Sequence, residues 1–115
     1  MNKPLTDFKD YIVEDVLGHI RGVTEKRMFS GYGLYLDGAI FAIITGDSEL
    51  FFKVDDTNKS RYEKMGSHPF VFDKWKDKKR KAITMPYWHI SEETMENREF
   101  IEELVRESAE ISRSK

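Results

Sequence analysis

The chain has 115 residues, of which 39% are hydrophobic and 35% charged, with a formal net charge of −2 and no cysteine. A length of this order makes one domain, and a charged share above the usual quarter gives it a strongly polar surface. Disulfides, thiol nucleophiles and cysteine-bound metals are excluded, and the acidic balance gives no overall attraction to nucleic acid.

Residues 1–7 carry no apolar run of the signal-peptide kind. The longest apolar stretch, residues 39–44, is far short of the roughly 18 needed to cross a bilayer. These features predict a soluble, cytoplasmic protein with no membrane partner, consisting of a single domain over residues 1–115.

Leu5 to Arg21 has the period of an amphipathic helix, with Leu5, Phe8, Ile12, Val16 and Ile20 on one stripe. Thr6 or Asp7 is placed to cap it, Gly18 is a cost in its last turn, and Gly22 is placed to stop it. Val23 to Phe29 reads as a strand that Gly31 and Gly33 interrupt. Gly33–Leu36 and Ala39–Thr45 flank Asp37-Gly38, a strong hairpin signal because a type I′ turn needs positive φ at both centres. After a turn at Gly46–Glu49, Leu50 to Val54 continues an antiparallel meander.

Thr57 to Met65 reads as a short helix, capped by Asp55, Asp56 or Thr57 and stopped by Gly66. Phe70–Phe72 is a short strand, Asp73–Lys81 a basic loop or hairpin tip, and Ala82–Ile90 the last strand. Pro86 assigns that strand to an edge or a bulge. Ser91 is placed to cap a short turn through Glu96, and Asn97 to open a final helix with Phe100, Ile101, Leu104, Val105 and Ile111 inward. The expected class is α+β, two-layered: an antiparallel sheet with helices on one face, the other face partly exposed or used for association.

Five motifs stand in a fixed order. They are Arg27-Met28-Phe29-x-Gly31-x-Gly33-Leu34-Tyr35, Asp37-Gly38-x-x-Phe41-Ala42, Leu50-Phe51-Phe52-Lys53-Val54-Asp55, Gly66-Ser67-x-Pro69-Phe70 and Met85-x-Tyr87-Trp88. In this order they resemble the TfoX N-terminal domain family, named for bacterial regulators of natural competence. Ser30 and Pro86 depart from the family's usual glycine and serine.

The resemblance implies a secretion-chaperone-like fold of helix, meander, helix, two strands and helix. It implies a non-enzymatic regulatory domain that binds a protein, with a possible role in transcription and a possible homodimer. It makes Met28, Phe29, Gly31, Gly33, Asp37, Gly38, Lys53, Tyr87 and Trp88 signature positions, read here as structural. Two-domain members carry a further helical domain, which is expected to be absent because the sequence ends at Lys115.

Among those positions, Gly31 and Gly33 lack the helix and lysine of a phosphate loop, so a bulge or a close backbone approach is the reading taken. Tyr87 and Trp88 must face opposite sides of a strand, one inward and the other available as an interaction anchor. Lys74, Trp75, Lys76, Lys78, Lys79, Arg80 and Lys81 form a candidate interaction surface. Basic residues beside a ring can bind nucleic acid, but one aromatic makes a poor stacking platform. The favoured partner is therefore a protein, with a nucleic-acid regulator as the alternative and a small-ligand or catalytic domain as a third reading.

His68 and His89 can converge through the sheet, but no third metal ligand is evident. Asp55 and Asp56 fit capping better than acid–base catalysis. No catalytic residue, metal or cofactor is expected.

Overall fold

A computed structural model describes residues 4–28, 30–76 and 79–114, the side chains of 74–76 apart. The fold is α+β. Six strands form one antiparallel sheet: β1 (Val23–Met28), β2 (Gly31–Leu36), β3 (Ala39–Ile44), β4 (Leu50–Lys53), β5 (Pro69–Lys76) and β6 (Lys79–His89), in the order β1-β2-β3-β4-β6-β5. The helices are α1 (Leu5–Asp10), continued as a π-helical turn over Tyr11–Val16, then α2 (Lys59–Lys64), α3 (Glu92–Glu96) and α4 (Arg98–Arg113). Among the described residues no helix is long and apolar enough to cross a membrane.

The first helix ends sooner than its apolar stripe predicts. Leu17 N–H closes a wide turn onto Ile12 O (2.9 Å), and α-helical continuation stops there. A Cβ at Gly18 would lie 2.2 Å from Glu14 O, so this glycine permits the exit rather than weakening a last turn. Neither Thr6 nor Asp7 caps the helix. Pro4 stands at the N-cap and its carbonyl accepts from Asp7 N (3.0 Å) and Phe8 N (3.2 Å).

The Asp37-Gly38 hairpin forms as its sequence demands, with φ of 49° and 87° at the two centres. Gly31 and Gly33 do not interrupt a strand. They lie within β2, paired with Met28 and Lys26 of β1. Between β2 and β3 the register slips, so that Leu34 faces Ala42 while Tyr35 faces Ile40. The extra residue is Phe41, and the bulge lets the consecutive Phe41 and Ala42 both be wholly buried. Phe41 meets Phe52 edge to face, ring centroids 5.5 Å apart.

Helix α4 packs its apolar face, including Ile101, Leu104 and Val105, over β2, β3 and β4. Its start follows the sequence signal: Asn97 Oδ1 accepts from Phe100 N (3.1 Å), and Ser91 Oγ does the same for α3 from Thr94 N (3.2 Å). Ser108 Oγ donates to Lys53 O (2.8 Å) and ties the helix to β4. Helix α2 starts at Lys59, two residues later than expected, because Asp55 Oδ1 accepts from Thr57 N (2.8 Å) and holds residues 55–58 in a turn. It ends as expected at Gly66 (φ 77°), where Ser67 N reaches back to Tyr62 O (3.1 Å).

The last hairpin departs most from expectation. Residues 73–81 were expected as a loop or hairpin tip, but strand pairing runs through Lys76 and resumes at Lys79. Strand β6 pairs with β4 only at Tyr87, Trp88 and His89, and residues 79–84 pair with β5 alone. The change falls at Pro86, which lacks a ladder donor. There the β5–β6 register slips between Pro69 and Val71, while Pro86 O still accepts from Val54 N (3.0 Å). Proline therefore sits at a bulge, as predicted, and marks where β6 leaves the sheet as one strand of a two-stranded arm.

Candidate interaction surface

The helices cover one face of the sheet, yet β3 and β4 are apolar on both faces. Phe52 enters the main core, whereas its neighbour Phe51, only 3% exposed, lies outside it. On this second face Phe51 meets Phe70 (centroids 5.0 Å), and Phe70 stacks on Phe72 (6.1 Å). Tyr87 is buried here too, with its phenol pushed upward by burial. Trp88 turns the other way, against the core and Tyr62 (6.5 Å). The opposite-face prediction for this pair holds, but neither ring is an exposed anchor.

Between the root of the arm and the strands lies a cleft of ≈ 360 Å³. Its walls are mainly Met28, Ile43, Phe70, Phe72, Met85 and Tyr87, with Ser30 and Thr45 as polar groups at one end. Gly31 forms part of the floor, and a Cβ there would stand 1.9 Å from Ile44 O. At Gly33 a Cβ would stand 2.5 Å from Met28 Sδ. Both glycines therefore serve close approach, in keeping with the reading against a phosphate loop.

The cleft brings together Met28, Gly31 and Tyr87 of the signature positions. Asp37 and Gly38 make the β2–β3 turn, Lys53 anchors α4 through its carbonyl, and Trp88 serves the core. Phe29 lies outside the described residues. Phe70 and Met85 enter the sequence reading only as motif residues, and Ile43 and Phe72 have no functional place in it. Their signal was present nonetheless, because strands apolar on both faces need cover on both.

Of the basic segment, Lys79, Arg80 and Lys81 are exposed, while Lys78 and the side chains of Lys74, Trp75 and Lys76 lie outside the description. The backbone register sets Lys74 opposite Lys81 and Lys76 opposite Lys79, continuing from the pair Phe72–Ile83 in steps of two. By strand alternation Lys81 and Lys79 share the face of Ile83 and of its partner Phe72, which belongs to the cleft. Arg80, one step out of phase, forms an ion pair with Asp73.

His68 and His89 do converge, their rings stacked at 5.0 Å and 14°. Burial chiefly, with the neighbouring His68 in support, holds His89 below the ordinary histidine value. Glu49, 3.5 Å away, opposes that shift. Among the described residues no group of three or more His, Cys, Asp or Glu side chains gathers as a metal site would require.

The model of the TfoX N-terminal domain family matches residues 15–112, from within the first helix to the end of α4. Among curated proteins no match was found.

Proposed function

Since the chain belongs to the TfoX N-terminal domain family, whose members are competence-regulator-like domains, we propose that it is a non-catalytic regulatory domain that acts by binding another protein in the cytoplasm. One observation carries this reading: the apolar cleft on the sheet face that the helices leave open. Two methionines in its wall supply flexible, polarisable contacts suited to apolar side chains. Its few polar groups favour a hydrophobic partner surface over a polar substrate. The absence of cysteine is in keeping with a reducing compartment.

The test is quantitative affinity capture with the wild type and with Ile43→Arg, which puts a charge into the cleft wall. A partner held by the wild type and lost by the variant supports the reading. An identical set of captured proteins with both baits refutes it, as does a wild-type bait that captures nothing, a second copy of its own chain included.

A second reading, nucleic-acid binding, rests on the paired lysine positions of the arm, since a two-stranded ribbon fits a major groove. It requires an affinity that falls steeply with salt and that collapses in the Lys79→Ala, Arg80→Ala, Lys81→Ala triple variant. Unchanged binding in that variant rules it out.

A further inference from the structure

Three large hydrophobic residues stand well exposed among those described: Tyr11 (38%), Val71 (48%) and Phe72 (38%). They fall on surfaces of opposite charge. Val71 and Phe72 belong to the arm, whose cleft-side face runs from Phe72–Ile83 into Lys81–Lys74 and Lys79–Lys76. Lys79 and Lys81 are exposed on this arm, and an anionic surface laid over them pairs their charge.

Tyr11 stands on the first helix with Asp7, Asp10, Glu14 and Asp15 around a shallow depression. It opens the π-helical segment, a widened geometry that recurs at functional positions. Asp10 and Asp15 are engaged at the margins by Lys9 (2.5 Å) and Arg98 (3.0 Å), while Asp7 and Glu14 are exposed carboxylates on the same surface.

We propose that these are two halves of one contact: the arm of one copy docks on the first helix of a second copy of this chain. Tyr11 enters the cleft mouth beside Phe72, and the carboxylates of the first helix meet the lysines of the arm. The inference deepens the protein-binding reading and rests on it.

The acidic face of α4 is a poorer complement. Its apolar residues are mostly buried, and Glu103, Glu102 and Glu110 are engaged by Arg61 (2.6 Å), Arg106 (2.7 Å) and Arg113 (3.4 Å). A nucleic acid fits less well than a second copy, because bases set in this cleft would leave polar edges without partners. The contact joins two different surfaces. It closes as a pair if each arm reaches the other's helix, and otherwise as a ring or chain.

The test is solution mass by light scattering in low and high salt, with two charge-reversed variants. One carries Lys79→Glu and Lys81→Glu, the other Asp7→Lys and Glu14→Lys, all at exposed positions. The wild type is expected above the 13.6 kDa monomer at low salt, moving toward it as salt screens the contact.

Each variant alone is expected to associate more weakly than the wild type, because reversing two charges on one surface removes its complementarity to the other. Mixed in equal amounts they are expected to reassociate, since each arm again meets an oppositely charged helix. Tyr11→Ser is expected to weaken association at every salt concentration.

A wild type that stays at 13.6 kDa in low salt at millimolar concentration overturns the inference, as does a variant mixture that remains monomeric when the wild type associates. A monomer that still captures another protein through the cleft ends this inference alone. A monomer that captures nothing ends the protein-binding reading as well.

Discussion

Replacing Gly31 by alanine separates a structural glycine from a ligand-holding one. The added Cβ would lie 1.9 Å from Ile44 O, which belongs to the backbone of the neighbouring strand. A relaxed carbon–oxygen approach is about 3.3 Å, so the two strands must part by roughly 1.4 Å or the pairing must break. Overpacking of this kind costs about 3 kcal/mol when no flexible group can yield, against a total stability of about 5–15 kcal/mol. For a domain of this size that lowers the melting temperature by about 10 °C.

Gly33→Ala is the matched control. Its nearest obstacle is Met28 Sδ at 2.5 Å, the mobile part of a thioether side chain, so the expected cost is about 1 kcal/mol. Thermal melts followed by circular dichroism measure both. An unfolded Gly31→Ala protein agrees with the reasoning. A Gly31→Ala variant within about 0.5 kcal/mol of wild type, or one more stable than Gly33→Ala, refutes it.

Three further outcomes follow from the same structure. Phe41→Ala, which empties a wholly buried site and removes the edge-to-face contact with Phe52, is expected to cost about 3–5 kcal/mol in denaturant unfolding. Asn97→Ala removes the cap of α4 and is expected to cost about 1 kcal/mol, whereas Asn97→Asp, which keeps an acceptor for Phe100 N, holds most of it. His89 has its folded value depressed, so the unfolded chain binds more protons on acidification. Its contribution is intact above the ordinary histidine value of about 6.5 and is lost as pH falls below it. Urea midpoints should therefore decline from pH 7.5 to 5.5, and His89→Gln should flatten that decline; equal slopes for the two proteins count against the assignment.

Much of the architecture could be read locally because its causes are local. Asp37-Gly38 dictates a turn whatever surrounds it, and Asn97, Ser91 and Gly66 each act within one helical turn of themselves. The first helix was read too long because Ile20, buried in the core, continues the apolar stripe without continuing the helix. Its period is right, but Gly18 meets Glu14 O only once the chain has turned. The cleft was not legible in the sequence. Met28, Gly31 and Tyr87 were noted as signature positions, but their meeting with Phe70, Phe72 and Met85 joins the β1–β2–β3 region to the opposite edge of the sheet.

The sequence by itself determined the α+β class, the antiparallel pairing, the family and most element boundaries, because turns, caps and apolar periods act over a few residues. Tertiary structure alone decided that β3 carries a bulge at Phe41, that β6 leaves the sheet at Pro86 to build an arm, and that an apolar cleft opens beside a line of lysine positions. Those outcomes depend on which strand lies beside which. The residues of β4 that pair with β6 lie more than thirty positions from their partners, and nothing within a few residues of either strand encodes that meeting.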